Sequence, residues 1–160
     1  MISGQTTGVR VYNAIKSACL SMPEVEHFAL WNNQLDKLKD GNINVFKFPA
    51  IFVVFENEYN QLSQGRQAID GTFVLRIALQ SLKHKDEEVL LFKDYVYQSL
   101  GKELPKYGFS DFRRRFELQD TDYDSLIVWQ QEYEYQFIDD VAKDLALDLY
   151  PWSFTTDVHQ

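Results

Sequence analysis

The stretch Thr72–Gln80, TFVLRIALQ, leaves this chain the least freedom. Phe73, Leu75, Ile77 and Leu79 fall on one face of an extended strand, and Thr72, Val74, Arg76, Ala78 and Gln80 fall on the other. Strict alternation over this length marks a strand with one buried face. The apolar face must be covered, and the cover follows at once. Lys85–Gly101 carries Val89, Phe92, Val96 and Leu100 on one helical stripe, with Leu91 and Tyr95 beside it. Asp86 suits the N-cap and Gly101 the residue past the end. A strand followed by its covering helix is the core of a two-layer α+β domain.

Further elements can be assigned around this pair. Gly8–Leu20 has Val11, Ile15 and Ala18 at helical spacing, with Thr7 placed to cap it and Pro23 to stop it. Val25–Trp31 reads as a short strand, and Asn32–Asn44 as an exposed connection with room for a helical turn. Ala50–Phe55 is apolar without a break, which suits a strand covered on both faces, by its own chain or by a neighbouring subunit. Tyr59–Gly71 is polar and Gly-punctuated, and reads as a projecting loop or long hairpin. Phe112, Arg114, Phe116 and Leu118 alternate with Arg113, Arg115, Glu117 and Gln119 as a strand. Asp120–Ser125 is a turn, and Leu126–Ile138 a long strand with Ile127, Trp129, Tyr133, Tyr135 and Phe137 on one face. The expected fold is α+β: a mixed or mainly antiparallel sheet of four to six strands, flanked by two main helices. It occupies residues 1–139. Residues 140–160 form an acidic tail with a short helix, in which Leu145, Leu149, Trp152 and Phe154 are placed to dock on the domain or on a partner. From Asp139 on, five Asp against one Lys give the tail a net charge of −4.

Composition narrows the functional classes. A formal net charge of −8 disfavours DNA, RNA or an anionic membrane as the main ligand, because phosphate binding needs a cationic face. It does not exclude a protein that must let DNA pass without sticking. Cys19 is the single cysteine, so no intrachain disulfide forms, and it reads as a small buried helix residue. No apolar run approaches the roughly 20 residues of a membrane span, and no signal peptide is expected.

Catalytic chemistry is not indicated. His27, His84 and His159 stand apart in sequence and no Cys/His cluster exists. Asp120, Asp122 and Asp124 open like a calcium loop, but Ser125 stands where Gly is needed and Gln131 where the bidentate Glu is needed. No catalytic, cofactor or metal residues are assigned. Arg113, Arg114 and Arg115 are the only basic cluster, and ion pairing to carboxylates within or between subunits is their expected role.

The succession VYNAIKSACL, LWNNQ, FPAIFVVFEN, a loop with GRQ, TFVLRIALQS, a helix and LQDTDYDSLIVWQQEYEYQFID resembles the tail-terminator, or tail-completion, proteins of tailed bacteriophages. The resemblance runs from about Val9 to Asp139 and lies in order and composition. It implies a ring, commonly a hexamer, at the head-proximal end of the tail tube. There the ring stops tube growth and joins the tail to the head connector, without catalysis or cofactor. Implied partners are copies of the chain itself, the tube protein and a connector or adaptor. DNA passes through unbound, no membrane is involved, and the protein is made in the host cytoplasm and resides in the virion. Carried over, Gln61, Gln64, Gly65, Arg66 and Gln67 form a lumen- or tube-facing loop, and Asp122, Asp124 and Trp129 match the final hairpin. Phe52, Val54, Arg113, Arg115, Glu132 and Glu134 are candidate subunit-interface residues. The alternatives are another neck or head-completion ring, and a non-viral α+β binding module.

Overall fold

In the computed structural model, which describes residues 6–39, 46–80 and 85–139, one mixed sheet carries two main helices on one face. The elements in chain order are α1 (Thr7–Leu20), β1 (His27–Leu30), α2 (Gln34–Lys39), β2 (Ala50–Ser63), β3 (Arg66–Gln80), α3 (Asp86–Glu103), a 3-10 turn (Leu104–Tyr107), β4 (Ser110–Asp120) and β5 (Leu126–Asp139). Five strands lie in the order β1-β2-β3-β5-β4. Only β1 and β2 are parallel; every other pair is antiparallel. The expected α+β fold is therefore the one observed.

The alternation of β3 decides which face is covered. Phe73, Leu75, Ile77 and Leu79 are all buried, beneath Val11, Ile15, Ala18 of α1 and Val89, Phe92, Val96, Leu100 of α3. Tyr133, Tyr135 and Phe137 of β5 extend the same core. Phe73, Phe112 and Tyr133 stack nearly parallel at 5.1–6.3 Å between centroids. Small residues let the helices approach: Ser99 Oγ on α3 donates to Ala18 O on α1 at 2.6 Å. Leu91 and Tyr95, expected beside the buried stripe, are instead exposed, because the stripe that faces the sheet is narrow.

Several expectations need correction. The Asn32–Asn44 connection has the helical turn expected of it, α2, but it is not wholly exposed, because α2 buries Leu35 completely. Leu35 joins Ala50, Phe52, Ala78, Tyr123 and Val128 in a second, smaller cluster on the opposite sheet face. This cluster, with Trp31 and Phe46 packed on it, covers the second face of the Ala50–Val53 run. The two-sided burial is thus achieved within one chain, and Val54, the next residue on that face, is open to solvent. Gly101 lies inside α3, and the left-handed residue that ends this region is Gly108, at φ 96°. Lys85, not Asp86, holds the N-cap position.

Candidate assembly surface

Beyond the second cluster the sheet's other face carries no helix or strand among the described residues. Its rungs follow from strand register. One rung runs Glu56, Thr72, Glu134, Arg113, and the next runs Val54, Val74, Glu132, Phe116. Residues directly paired across strands share a face, so these eight side chains project together. Arg113 Nη2 reaches Glu134 Oε2 at 3.0 Å, Arg115 Nε reaches Glu134 Oε1 at 3.2 Å, and Arg115 also bonds Glu132. Four of the predicted interface residues thus form one cross-strand network inside a single chain. Burial of these groups is shallow. The Glu132 and Glu134 pairings are what hold the Arg115 guanidinium above its ordinary range. A shallow depression beside this network is lined by Glu58, Asp70, Asp111, Arg113, Glu134 and Gln136.

Phe52 does not belong to this surface. It is wholly enclosed, with Trp31, His27 and Phe46 rings at 5.3–5.7 Å. As a side chain sealed in its own chain it has no area left for a neighbouring subunit. Val54, by contrast, is 39% exposed.

β4 does not keep the period read from its sequence. Register shifts fall between Ser110 and Arg113 and between Arg114 and Phe116, so Arg115 is an extra residue. A bulge of this kind inverts the faces downstream of it. Phe112 and Arg114 face the helices, whereas Phe116 and Leu118 turn to the open face, where Phe116 is 53% exposed.

Of the two forms expected for Tyr59–Gly71, a loop or a long hairpin, the structure has the hairpin. β2 and β3 stay paired to Ser63 and Arg66, leaving a two-residue turn of Gln64 and Gly65. Gly65 takes φ 74°, which a residue without Cβ adopts at no steric cost. Gln61 closes the turn: its Nε2 donates to Ser63 O and, at 3.1 Å, to Arg66 O, while Gln67 Nε2 donates to Gln61 Oε1 at 3.3 Å. The five predicted loop residues therefore meet at one polar hairpin tip. The tail residues Leu145, Leu149, Trp152 and Phe154 lie outside the described residues.

A polar network under α3 escaped the sequence reading. Lys93, almost fully buried, meets Glu117 at 3.0 Å and Asp94 at 3.2 Å. Arg114 Nη1 donates to Asp94 at 3.0 Å and to Glu117 at 3.5 Å. Gln131 Nε2 donates to Lys93 O at 3.0 Å and to Glu117 Oε1 at 2.9 Å, and the Tyr133 hydroxyl donates to Gln131 Oε1 at 2.5 Å. Burial alone would raise the Asp94 carboxyl, but bonds from Arg114 and Lys93 outweigh it and hold the group low. Two cations face two carboxylates, so the network is neutral and braces α3 to the β4 side of the sheet. Two signals were available: Lys93 shares a stripe with Val89, Val96 and Leu100, and Gln131 interrupts the apolar row of β5.

The remaining candidates are structural. Cys19 is sealed in the core and burial pushes its thiol far up, away from the reactive thiolate. Asp120 caps its own turn, accepting from Asp122 N at 3.1 Å, and also binds Gln130 at 3.1 Å and Arg76 at 3.4 Å. Trp129 of the matched hairpin lies with its ring 4.9 Å from Lys93 Nζ. Among the described residues no group of three or more His, Cys, Asp or Glu is arranged to hold a metal ion, and no helix is long and apolar enough to cross a membrane. The sequence matches no protein-family model and no curated protein.

Proposed function

We propose that this chain is a ring-forming structural protein of a tailed phage, a tail terminator that caps the tail tube and joins it to the head connector. The observation that carries this reading is the asymmetry of the sheet. One face is sealed by helices; the other presents Val54 and Phe116 beside a row of paired charges. Val54 and Phe116 stand at opposite ends of one rung, and exposed apolar side chains beside polar ones mark association surfaces. The order of elements and the motifs noted between Val9 and Asp139 supply the choice among assembling proteins. The net charge of −8 fits a lumen through which DNA slides without adhering. In this reading the hairpin tip, Gln61–Gln67, faces the lumen or the tube, the ring has the six copies the resemblance implies, and the protein resides in the virion without catalytic activity or cofactor.

The test is functional capping. Tube subunits that polymerise without limit are mixed with this protein at increasing ratios, and tube lengths are measured in stained images. Capping predicts tubes with the protein at one end and a distribution that shortens with ratio. Unchanged lengths and unlabelled ends, with the ring also failing to bind tube subunits, would contradict the proposal. Binding to a portal or adaptor instead of tube would shift it to a neck ring.

A further inference from the structure

We infer that the outer strip of α1 and the 3-10 turn is the docking surface for the chain's own acidic segment, residues 140–160, folded back onto the domain it leaves. This goes beyond the ring reading and does not depend on it. The strip begins between α1 and the 3-10 turn, where Arg10, Ala14, Ser17, Lys106 and Tyr107 line a shallow groove. It continues along α1 past Lys16 to Leu20. α1 contains no Asp or Glu. Arg76, Arg113, Arg114 and Arg115 each meet a carboxylate, whereas neither Arg10 nor Lys16 is paired with one among the described residues. Arg10 instead lies over the Phe137 ring at 5.2 Å, and Lys16 over Tyr12 at 5.9 Å. Lys106 meets Glu103 at 2.8 Å, which leaves two of its three ammonium donors. Tyr107 is 47% and Leu20 41% exposed, so apolar area stands beside these cations.

The place where the described chain ends selects the occupant. Phe137 lies two residues before the end of β5, and its ring is held between Arg10 and Gly108, the residue that follows the 3-10 turn. Arg10 both covers Phe137 and lines the groove, so the segment after Asp139 enters the strip within its first residues. The sequence of that segment complements the strip. Val141, Leu145 and Leu149 recur at helical spacing, and Asp140, Asp144 and Asp148 form the adjoining stripe. At 1.5 Å per residue a helical Val141–Leu149 spans about 12 Å, and Arg10–Leu20 of α1 offers about 15 Å. The apolar stripe then lies on Ala14, Tyr107 and Leu20, and the carboxylates meet Arg10 and Lys16. Charge disfavours the open sheet face as the alternative. That face carries Glu56, Glu58 and Asp70, and its Arg113 and Arg115 are already bound to Glu132 and Glu134. Met1–Gln5, the other segment adjoining α1, brings no carboxylate to these cations.

Cross-linking within the full chain tests this, because Cys19, the single native cysteine, is sealed in the core. Ser17→Cys/Ala146→Cys places thiols on the strip and the segment, and Glu56→Cys/Ala146→Cys places them on the open sheet face and the segment. Each variant is treated with a short bismaleimide at low protein concentration, and peptide mass mapping of the gel bands identifies the linked pair. The first variant should give a cross-linked monomer and the second should not. Adding Arg10→Glu and Lys16→Glu should lower the yield about fivefold, and further adding Asp144→Lys and Asp148→Lys should restore it. Salt at about 1 M should lower it as well. The neutral pair Arg10→Gln and Lys16→Gln should give an intermediate yield, which keeps the test valid if charge reversal perturbs α1. A first variant that links only between chains, that links no better than the second, or that keeps its yield without both cations overturns the docking. None of these outcomes bears on tube capping, so the ring reading stands or falls by its own test.

Discussion

Gly71→Ala is the sharpest single probe of how the hairpin is seated on the core. Gly71 lies within β3 and pairs with Tyr135 and Asn57 on its two sides. A Cβ there would sit on Asn57 Oδ1 and 2.6 Å from Tyr135 Cε1, closer than any van der Waals contact allows. Neither neighbour can give way cheaply. The Tyr135 ring is fully buried, lies 5.0 Å from Phe109 and 5.8 Å from Phe73, and its hydroxyl donates to Asn57 Oδ1 at 2.8 Å. Overpacking of this kind costs about 1–3 kcal/mol, and the displaced hydrogen bond adds about 1 kcal/mol. Replacing a glycine inside a strand returns about 0.5–1 kcal/mol of backbone entropy. The expected net loss is about 2–3 kcal/mol, a fall in melting temperature of about 5–10 °C for a domain of this size. Urea unfolding followed by circular dichroism measures it, with Tyr135→Leu as the second arm of a double-mutant cycle. In that background the ring is gone and the Asn57 amide, no longer held by the Tyr135 hydroxyl, can turn away from the methyl, so the cost of Gly71→Ala should drop below about 1 kcal/mol. A Gly71→Ala protein within about 0.5 kcal/mol of the parent, or an equal loss in both backgrounds, would refute the steric reasoning.

Other elements carry their own predictions. Glu117→Leu strips Lys93 of its nearest carboxylate and should cost about 2–4 kcal/mol in urea unfolding, most of it recovered by adding Lys93→Met. His27 sits against Phe46 and Phe52, and burial, then Lys16, holds its imidazole below the ordinary value near 6.5. Because the unfolded chain binds that proton more readily, stability present above pH 6.5 should decline as pH falls through the lower folded value, and His27→Phe should flatten the decline in a pH series of melts. Asp94 acts in the same sense at lower pH, its contribution fading as acid protonates it. Gly65→Val forces a β-branched residue to φ 74° and should cost about 1–2 kcal/mol by thermal melt, without changing the fold.

The parts of this fold that were legible in sequence are those with a sustained period. β3 alternates over its full buried length, β5 breaks its apolar row at Gln131 alone, and α1 and α3 keep their stripes apart from Lys93, so strand, cover and core followed from residue spacing. The failures share a physical cause, namely long-range pairing that sequence period does not report. A single extra residue, Arg115, inverts the faces of β4 and sends Phe116 and Leu118 outward. Polar composition left a loop and a long hairpin open at Tyr59–Gly71, and the hairpin is the one observed, with pairing to β5 on one side of β3 keeping the ladder intact almost to the tip. Leu35 is one of few apolar residues in a polar, charged segment, and only the second cluster shows why it is buried. The Arg113, Arg115, Glu132 and Glu134 set was recognisable as mutually complementary. That the complement is met first within one chain required the register.

Assembly is the central claim, and solution mass with direct imaging tests it first. Light scattering across a concentration series, with negative-stain images of the largest species, should give a closed multimer with an open lumen, alone or once tube subunits are added. A compact dimer without a lumen that no tube subunit converts would contradict the account and point to a binding module instead.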